Sequence, residues 1–137
     1  MILVDTNVWS ELLRPVPSPA VIAWEIAEAS RLHLSTVVIG EFLSGIAMMP
    51  DGKRKSAFLA RYEIIIALYA DRIVPFDLEA ARHYADILAF QERAGRNPGT
   101  ADTQIAATAR ARGMALATRN VRHFKGLGLD LIDPWQN

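Results

Sequence analysis

Three carboxylic acids and one amide stand where an apolar run of the chain changes character. Asp5 follows Ile2, Leu3 and Val4; Glu41 lies four residues after Val37 and four before Gly45; Asp102 opens an alanine-rich segment; Asn120 comes just after Met114-Ala115-Leu116-Ala117-Thr118. The acids each have an ordinary structural reading. Asp5 suits the N-cap of the segment that follows it, Glu41 the polar margin of a helix, and Asp102 a first helical turn whose backbone N–H groups stabilise its charge. They also have a chemical reading if the fold brings them together. Carboxylates sharing a crevice repel one another, and an ionised acid facing a core is costly unless paired or coordinated. A hard divalent cation resolves that repulsion. With oxygen ligands alone, no Cys and no cluster of His, Mg2+ or Mn2+ suits the set better than zinc. The chemistry such a site supports is hydrolysis of a phosphodiester bond by metal-activated water, with the metal also neutralising charge on the phosphate oxygens.

Convergence depends on the elements that carry these residues. Ile2 to Val4 show no polar alternation, which predicts a strand covered on both faces at the centre of a parallel sheet. Asp5 then lies at the strand's carboxyl end, the edge where ligands bind in open α/β sheets. The spacing of Val8, Trp9, Leu12 and Leu13 predicts a helix over 7–14, ended by Pro15 and Pro17. Ser18-Pro19 reads as a second helix start, with Ser as cap, running towards residue 30. Residues 32–35 read as a strand, in which His33 alternates with leucines and is a half-buried or solvent-facing position rather than a ligand. From Thr36 the period is helical and carries Glu41 until Pro50-Asp51-Gly52 breaks it. Lys53-Arg54-Lys55 opens a helix over 53–71, and 72–76 reads as a strand. Asp77 caps a helix over 78–93, with Ala81, Tyr84, Ala85, Leu88 and Phe90 as its apolar contacts and His83 and Asp86 exposed. A loop over 95–99, a helix over 100–112 closed by Gly113, a strand over 114–118, a turn over 121–124 and a strand over 129–132 complete the chain. Strands alternating with helices through right-handed crossovers predict a three-layer α/β/α fold around a central parallel sheet of about five strands. Asp5, Asp102 and Asn120 then share the carboxyl edge, with Glu41 in reach.

Composition narrows the function classes. At 137 residues, 51% hydrophobic and 22% charged, the chain is one domain's worth, 1–137, with a real core to bury. A net charge of zero excludes a global basic field for non-specific nucleic-acid binding, so a polyanion must be held by a local patch. The absence of Cys excludes disulfides, Fe–S clusters and thiolate zinc sites. With no signal-like start and no apolar span of membrane length, the expected location is the cytoplasm. No repeat, linker or low-complexity segment interrupts the chain.

Taken in order, the pieces form a pattern: Met1 to Asn7 as an apolar strand ending in Asp-Thr-Asn, Glu41 within Val38-Ile39-Gly40-Glu41-Phe42, and Ala101-Asp102 before Ile105-Ala106-Ala107-Thr108-Ala109. Ala117-Thr118-Arg119-Asn120 and the terminal Asp133-Pro134-Trp135 follow. This set resembles a PIN domain, and within that family the VapC toxins and their FitB-like relatives, over essentially the whole chain. The resemblance implies a Mg2+- or Mn2+-dependent endoribonuclease, the toxin of a type II toxin–antitoxin pair, usually dimeric and inhibited by a small VapB-like antitoxin whose tail enters the active-site groove. Asp5, Glu41 and Asp102 match the family's catalytic, metal-binding triad, and Thr6 and Thr118 match its hydroxyl positions beside the site. One departure stands out. Members often carry a fourth acid at the place of Asn120 or His123. Asn120 offers a carbonyl oxygen without charge, which predicts weak binding of a second metal; His123 reads as a leaving-group acid or as a surface residue.

On a neutral protein, RNA requires both the divalent metal and flanking cations. Arg119, Arg122 and Lys125, just past the fourth strand, are the expected substrate contacts on one side, and Lys53, Arg54 and Lys55 on the other. Arg119 has a second reading as the partner of Asp5 or Asp102 in the metal-free protein. The isoleucine-rich stretch around Ile65 is broader than one core-facing stripe and predicts a homodimer. Two other functional readings compete. Asp5 could act as the nucleophile of an aspartyl-phosphate phosphotransferase, although position 7 is Asn and not a second Asp; or the chain could be a non-catalytic PIN scaffold that binds a partner or RNA.

Overall fold

The computed structural model describes residues 1–136. The strands are β1 (Ile2–Val4), β2 (Leu32–Ser35), β3 (Ile73–Val74), β4 (Ala115–Ala117) and β5 (Leu131–Ile132); the helices are α1 (Thr6–Leu12), α2 (Pro19–Glu28), α3 (Thr36–Ala47), α4 (Lys53–Leu68), α5 (Leu78–Arg93) and α6 (Thr100–Ala111). All strand pairings are parallel, in the order β3-β2-β1-β4-β5. The wholly apolar β1 takes the centre of the sheet, and Ile2, Leu3 and Val4 are all fully buried. Helices cover both faces in the α/β/α arrangement that the alternation predicts.

The edge strands are shorter than expected. β3 keeps only two residues of 72–76, because Arg72 closes a preceding 3-10 turn and Pro75 lacks the N–H that would continue a ladder. Caps follow the sequence more closely. Ser35 accepts from the Val37 N–H and Asp77 from that of Ala80, whereas Ser18 occupies the N-cap position of α2 without a side-chain hydrogen bond. Gly113, at φ 63°, turns the end of α6 into β4 at an angle that costs a residue with a Cβ. In the core, Trp9 meets Tyr69 edge-on at 5.2 Å and Phe42 stacks on Tyr62 at 4.5 Å.

The apolar face of α5 differs from the expected one. Ala80, Ile87 and Gln91 are its buried residues, while Ala85 and Phe90 are exposed. Residues 80, 84, 87 and 91 form a single helical stripe, and the buried polar Gln91 disguised it. His83 is not exposed as expected: it is half-buried and accepts at Nδ1 from Arg110 Nε at 2.8 Å. Asp86 is exposed, with Arg110 at 3.6 Å. His33 is half-buried, its Nδ1 2.9 Å from the Arg31 carbonyl oxygen. Among the described residues no helix is long and apolar enough to cross a membrane.

Candidate active site

Strand order creates the site. From β1 the chain steps outward to β2 and β3, then crosses back to lay β4 on the other side of β1. The connections leaving β1 and β4 therefore run apart, and the crevice between them at the carboxyl edge is a topological switch point. Asp5 and Thr118 leave these two strands side by side. The Asp5 N–H donates to the Ala117 carbonyl at 2.9 Å, extending the ladder by one rung. Thr118 Oγ1 donates to Asp5 Oδ2 at 2.8 Å, and the Thr6 N–H donates to Asp5 Oδ1 at 2.7 Å. Asp5 is thus the N-cap of α1 and the buried acid of the crevice at once, only 3% exposed.

Its surroundings are electrostatically hostile to charge. The Asp5 carboxyl is pushed up from 3.8 to about 6, with burial the largest cause. The hydrogen bonds from Thr118 and Thr6 pull it down, and the negative fields of Asp102 and Glu41 push it up again. Asp102, in the first turn of α6, is raised by burial and pulled down by neighbouring His123. Glu41 is exposed, on the polar margin of α3, and its Oε1 accepts from Thr6 Oγ1 at 2.5 Å. Among the described residues none of the three acids forms an ion pair with Lys or Arg.

Asp5, Thr6, Asp102, Arg119, Asn120 and Trp135 line a groove of about 470 Å3, together with Asn7, Ser10, Glu11 and Arg14. Glu41 lines an adjoining cavity of about 740 Å3 with Phe42, Lys53, Arg54 and Phe58, and Thr6 and Ser10 line both spaces. No three acidic or imidazole side chains among the described residues are drawn together as a ready-made ion cage. The donors nevertheless suit a hard cation: they are carboxylates and an amide oxygen, negatively charged, without cationic partners, at the mouth of a switch-point crevice.

Thr118 is fully buried and is the hub of the crevice. Besides donating to Asp5, its oxygen accepts from Asn7 Nδ2 at 3.4 Å and from the Asn120 N–H at 3.1 Å, while Asn7 Oδ1 accepts from the Arg119 N–H at 3.3 Å. Sequence reasoning missed Asn7, Ser10, Glu11 and Arg14 as groove residues. Their spacing of 7, 10, 11 and 14 is a polar stripe on one helical face, a signal available from the sequence.

The basic residues separate. Arg119 does not pair with Asp5 or Asp102 as its second reading required: its guanidinium lies over the Trp135 ring at 4.9 Å. Arg122 lines a different recess together with His123. Lys125 is exposed on the turn beyond, its carbonyl accepting from Arg96 Nη1 at 3.0 Å. Across the groove, Lys53 and Arg54 share a cavity with Glu41, whereas Lys55 is tied to Asp51 at 3.1 Å and to the Ala47 carbonyl at 3.3 Å.

The PIN domain family matches residues 2–128. The VapC ribonuclease Y4jK of Sinorhizobium fredii is 45% identical over 138 residues, 99% of each chain. Toxin FitB of Neisseria gonorrhoeae is 37% identical over 139 residues, 100% of each. The crystal structure of FitAcB from Neisseria gonorrhoeae superposes with a TM-score of 0.92 at 37% identity, covering 100% of both chains. A parallel five-strand sheet, an acid at the end of its central strand and these matches along the full length have one meaning: the chain belongs to the PIN domain family, among the VapC and FitB toxins.

Proposed function

We propose that the protein is a Mg2+- or Mn2+-dependent endoribonuclease and the toxin of a type II, VapBC-like toxin–antitoxin pair. The observation that carries this reading is the buried Asp5 carboxylate, held at the switch point under the fields of Asp102 and Glu41 with no cationic side chain to relieve it. Asp5, Glu41 and Asp102 would hold the cation, with Asn120 adding an uncharged oxygen at the rim. When bound, the metal acidifies water and offsets charge on the phosphate. The chain's own groups supply position. Thr118 fixes the Asp5 carboxylate through Oδ2 and the Thr6 N–H fixes it through Oδ1, while the Thr6 hydroxyl fixes Glu41. Arg119, anchored on Trp135, offers a cation to the phosphate backbone without neutralising the acids.

The relatives' names, ribonuclease and toxin, support the same activity here, on RNA in the cytoplasm, with an antitoxin segment closing the groove. Exposed Ile64, Leu68 and Leu78 support a homodimer built from a single PIN domain spanning 1–137. A phosphotransferase is less well supported, since position 7 is Asn where a second Asp would be expected, and Asn7 is bonded to Thr118 and to the Arg119 N–H. The test is cleavage of single-stranded RNA by purified protein with Mg2+ or Mn2+, absent with chelator and absent in Asp5→Asn. Cleavage that survives both controls overturns the reading.

A further inference from the structure

A smaller recess lies beside the acidic groove. Gln91, Arg96, Asn97, Pro98, Arg122 and His123 enclose about 210 Å3, a fraction of the roughly 300–1,000 Å3 of common ligand sites and room for one planar group. Gln91 is only 1% exposed. Its Nε2 donates to the His123 carbonyl at 3.2 Å, which fixes the orientation of the amide. Its Oε1 is therefore a buried acceptor, and it has no partner. Buried acceptors left without a donor are costly, so a ligand with an N–H group has something to gain here.

The walls are built and cationic. Arg96 is held by the Lys125 carbonyl and lies 5.4 Å from the Phe90 ring centroid. Gly126, at φ 81°, packs so closely that a Cβ there would touch Phe90 at 3.4 Å, which keeps this turn pressed against Phe90 and Arg96. Arg122 is exposed, and its side chain has no hydrogen bond or ion pair among the described residues. His123, which also lines the recess, acts on the charge of Asp102, so the recess borders the acidic site.

A phosphate alone would meet the Gln91 carbonyl with the wrong polarity, and a metal cation would meet two guanidinium groups. A nucleotide satisfies both demands, with an N–H edge for the acceptor and phosphates for the arginines. Resting on the ribonuclease reading above, we propose that this recess is a nucleobase subsite: it takes the base of a nucleotide flanking the scissile bond through an N–H donated to Gln91 Oε1, with Arg96 and Arg122 at the phosphates.

The probes are adenosine 5′-monophosphate, which carries a 6-amino group, purine riboside 5′-monophosphate, which lacks it, and inorganic phosphate. Each is titrated into the full chain and followed by amide NMR. Adenosine monophosphate should shift the Gln91 side-chain amide and the backbone of Arg122 and His123. Purine riboside monophosphate should bind there about fivefold more weakly, one hydrogen bond's worth. Gln91→Met should erase the difference between the two nucleotides, and Arg122→Ala, on an exposed side chain, should weaken both alike. Equal response to the two nucleotides overturns the proposal, as does reproduction of the shifts by phosphate alone. So does perturbation of this recess by a protein partner but not by nucleotides. If the base discrimination appears and no RNA is cleaved with any divalent metal, nucleobase binding in the recess stands, while its place beside a scissile bond falls with the ribonuclease reading.

Discussion

Replacing Asp5 by Asn should stabilise the metal-free protein at neutral pH. The carboxyl is pushed up to about 6 in the fold from the ordinary 3.8 of an aspartate, so ionising it in place costs about 3 kcal/mol more than ionising it in the unfolded chain. The sign follows from linkage. A folded pKa raised above the unfolded one contributes stability that is fully present below about pH 4 and lost as pH rises through about 6. Asn keeps the acceptor for the Thr6 N–H, but its amide N–H2 faces a Thr118 oxygen that already accepts from Asn7 and the Asn120 N–H. That mismatch forfeits about 1 kcal/mol. The net expectation at about pH 7.5 is a gain of about 2 kcal/mol, or roughly 6 °C in Tm, shrinking to zero or below near pH 4. Urea unfolding of both proteins in chelator at the two pH values measures it, because titrating groups that do not interact with Asp5 cancel in the difference. A difference in stability that does not change with pH would refute the assignment of a buried, strained Asp5. Added Mg2+ should stabilise the natural protein and leave the Asp5→Asn variant unmoved.

Asp102→Asn should abolish RNA cleavage while preserving the circular dichroism spectrum, since Asp102 is raised by burial and the change removes charge without volume; normal turnover by the variant would remove Asp102 from the site. Arg122→Ala with Lys125→Ala should weaken RNA binding across unrelated sequences and lower the salt slope by at most about two units, with metal affinity unchanged; an unaltered slope means the RNA does not cross this edge. Light scattering at micromolar concentration should report twice the 15.2 kDa chain mass, and a monomer would leave Ile64 and Leu68 without the proposed partner. Thr118→Val, which deletes the hydroxyl bound to Asp5 Oδ2, should push the acid limb of the cleavage pH profile upward; an unmoved limb would show that Asp5 does not set it.

Most of the fold was legible because its signals are local. β1 announces itself by three consecutive apolar residues, α6 by alanines ending at Gly113, and the crossover rule turns their alternation into a parallel sheet. The edges were less legible, because pairing of a short strand is decided by its neighbour: 72–76 reads as five residues, and the turn closed by Arg72 together with Pro75 leaves two. The α5 stripe was misread because Gln91 looks solvent-facing and is instead buried by its bond to the His123 carbonyl, a contact between distant segments. At the site, the acids could be named from the sequence but not their states. Nothing in Met1 to Asn7 says that Thr118, more than a hundred residues away, holds Asp5.

Position 120 bears on how much charge the crevice accumulates. Asp5, Glu41 and Asp102 bring three negative charges when ionised, and one divalent cation leaves a deficit of one; a carboxylate in place of Asn120 would make it two. The raised carboxyls of Asp5 and Asp102 indicate that even the existing charge is uncomfortable without a cation. Each further acid would raise the others and add attraction for a second metal. With Asn there, a first cation held as proposed above would relieve most of the field and leave little to hold another. The positively charged groups around the groove are disposed accordingly. Arg119 lies on Trp135 rather than on an acid, and Arg14 is 3.5 Å from Glu11 and not from the triad. A guanidinium bonded directly to Asp5 would compete with a cation for the same oxygens. Held one aromatic ring away, Arg119 leaves those oxygens to Thr118 and Thr6, as its proposed role as a phosphate contact requires.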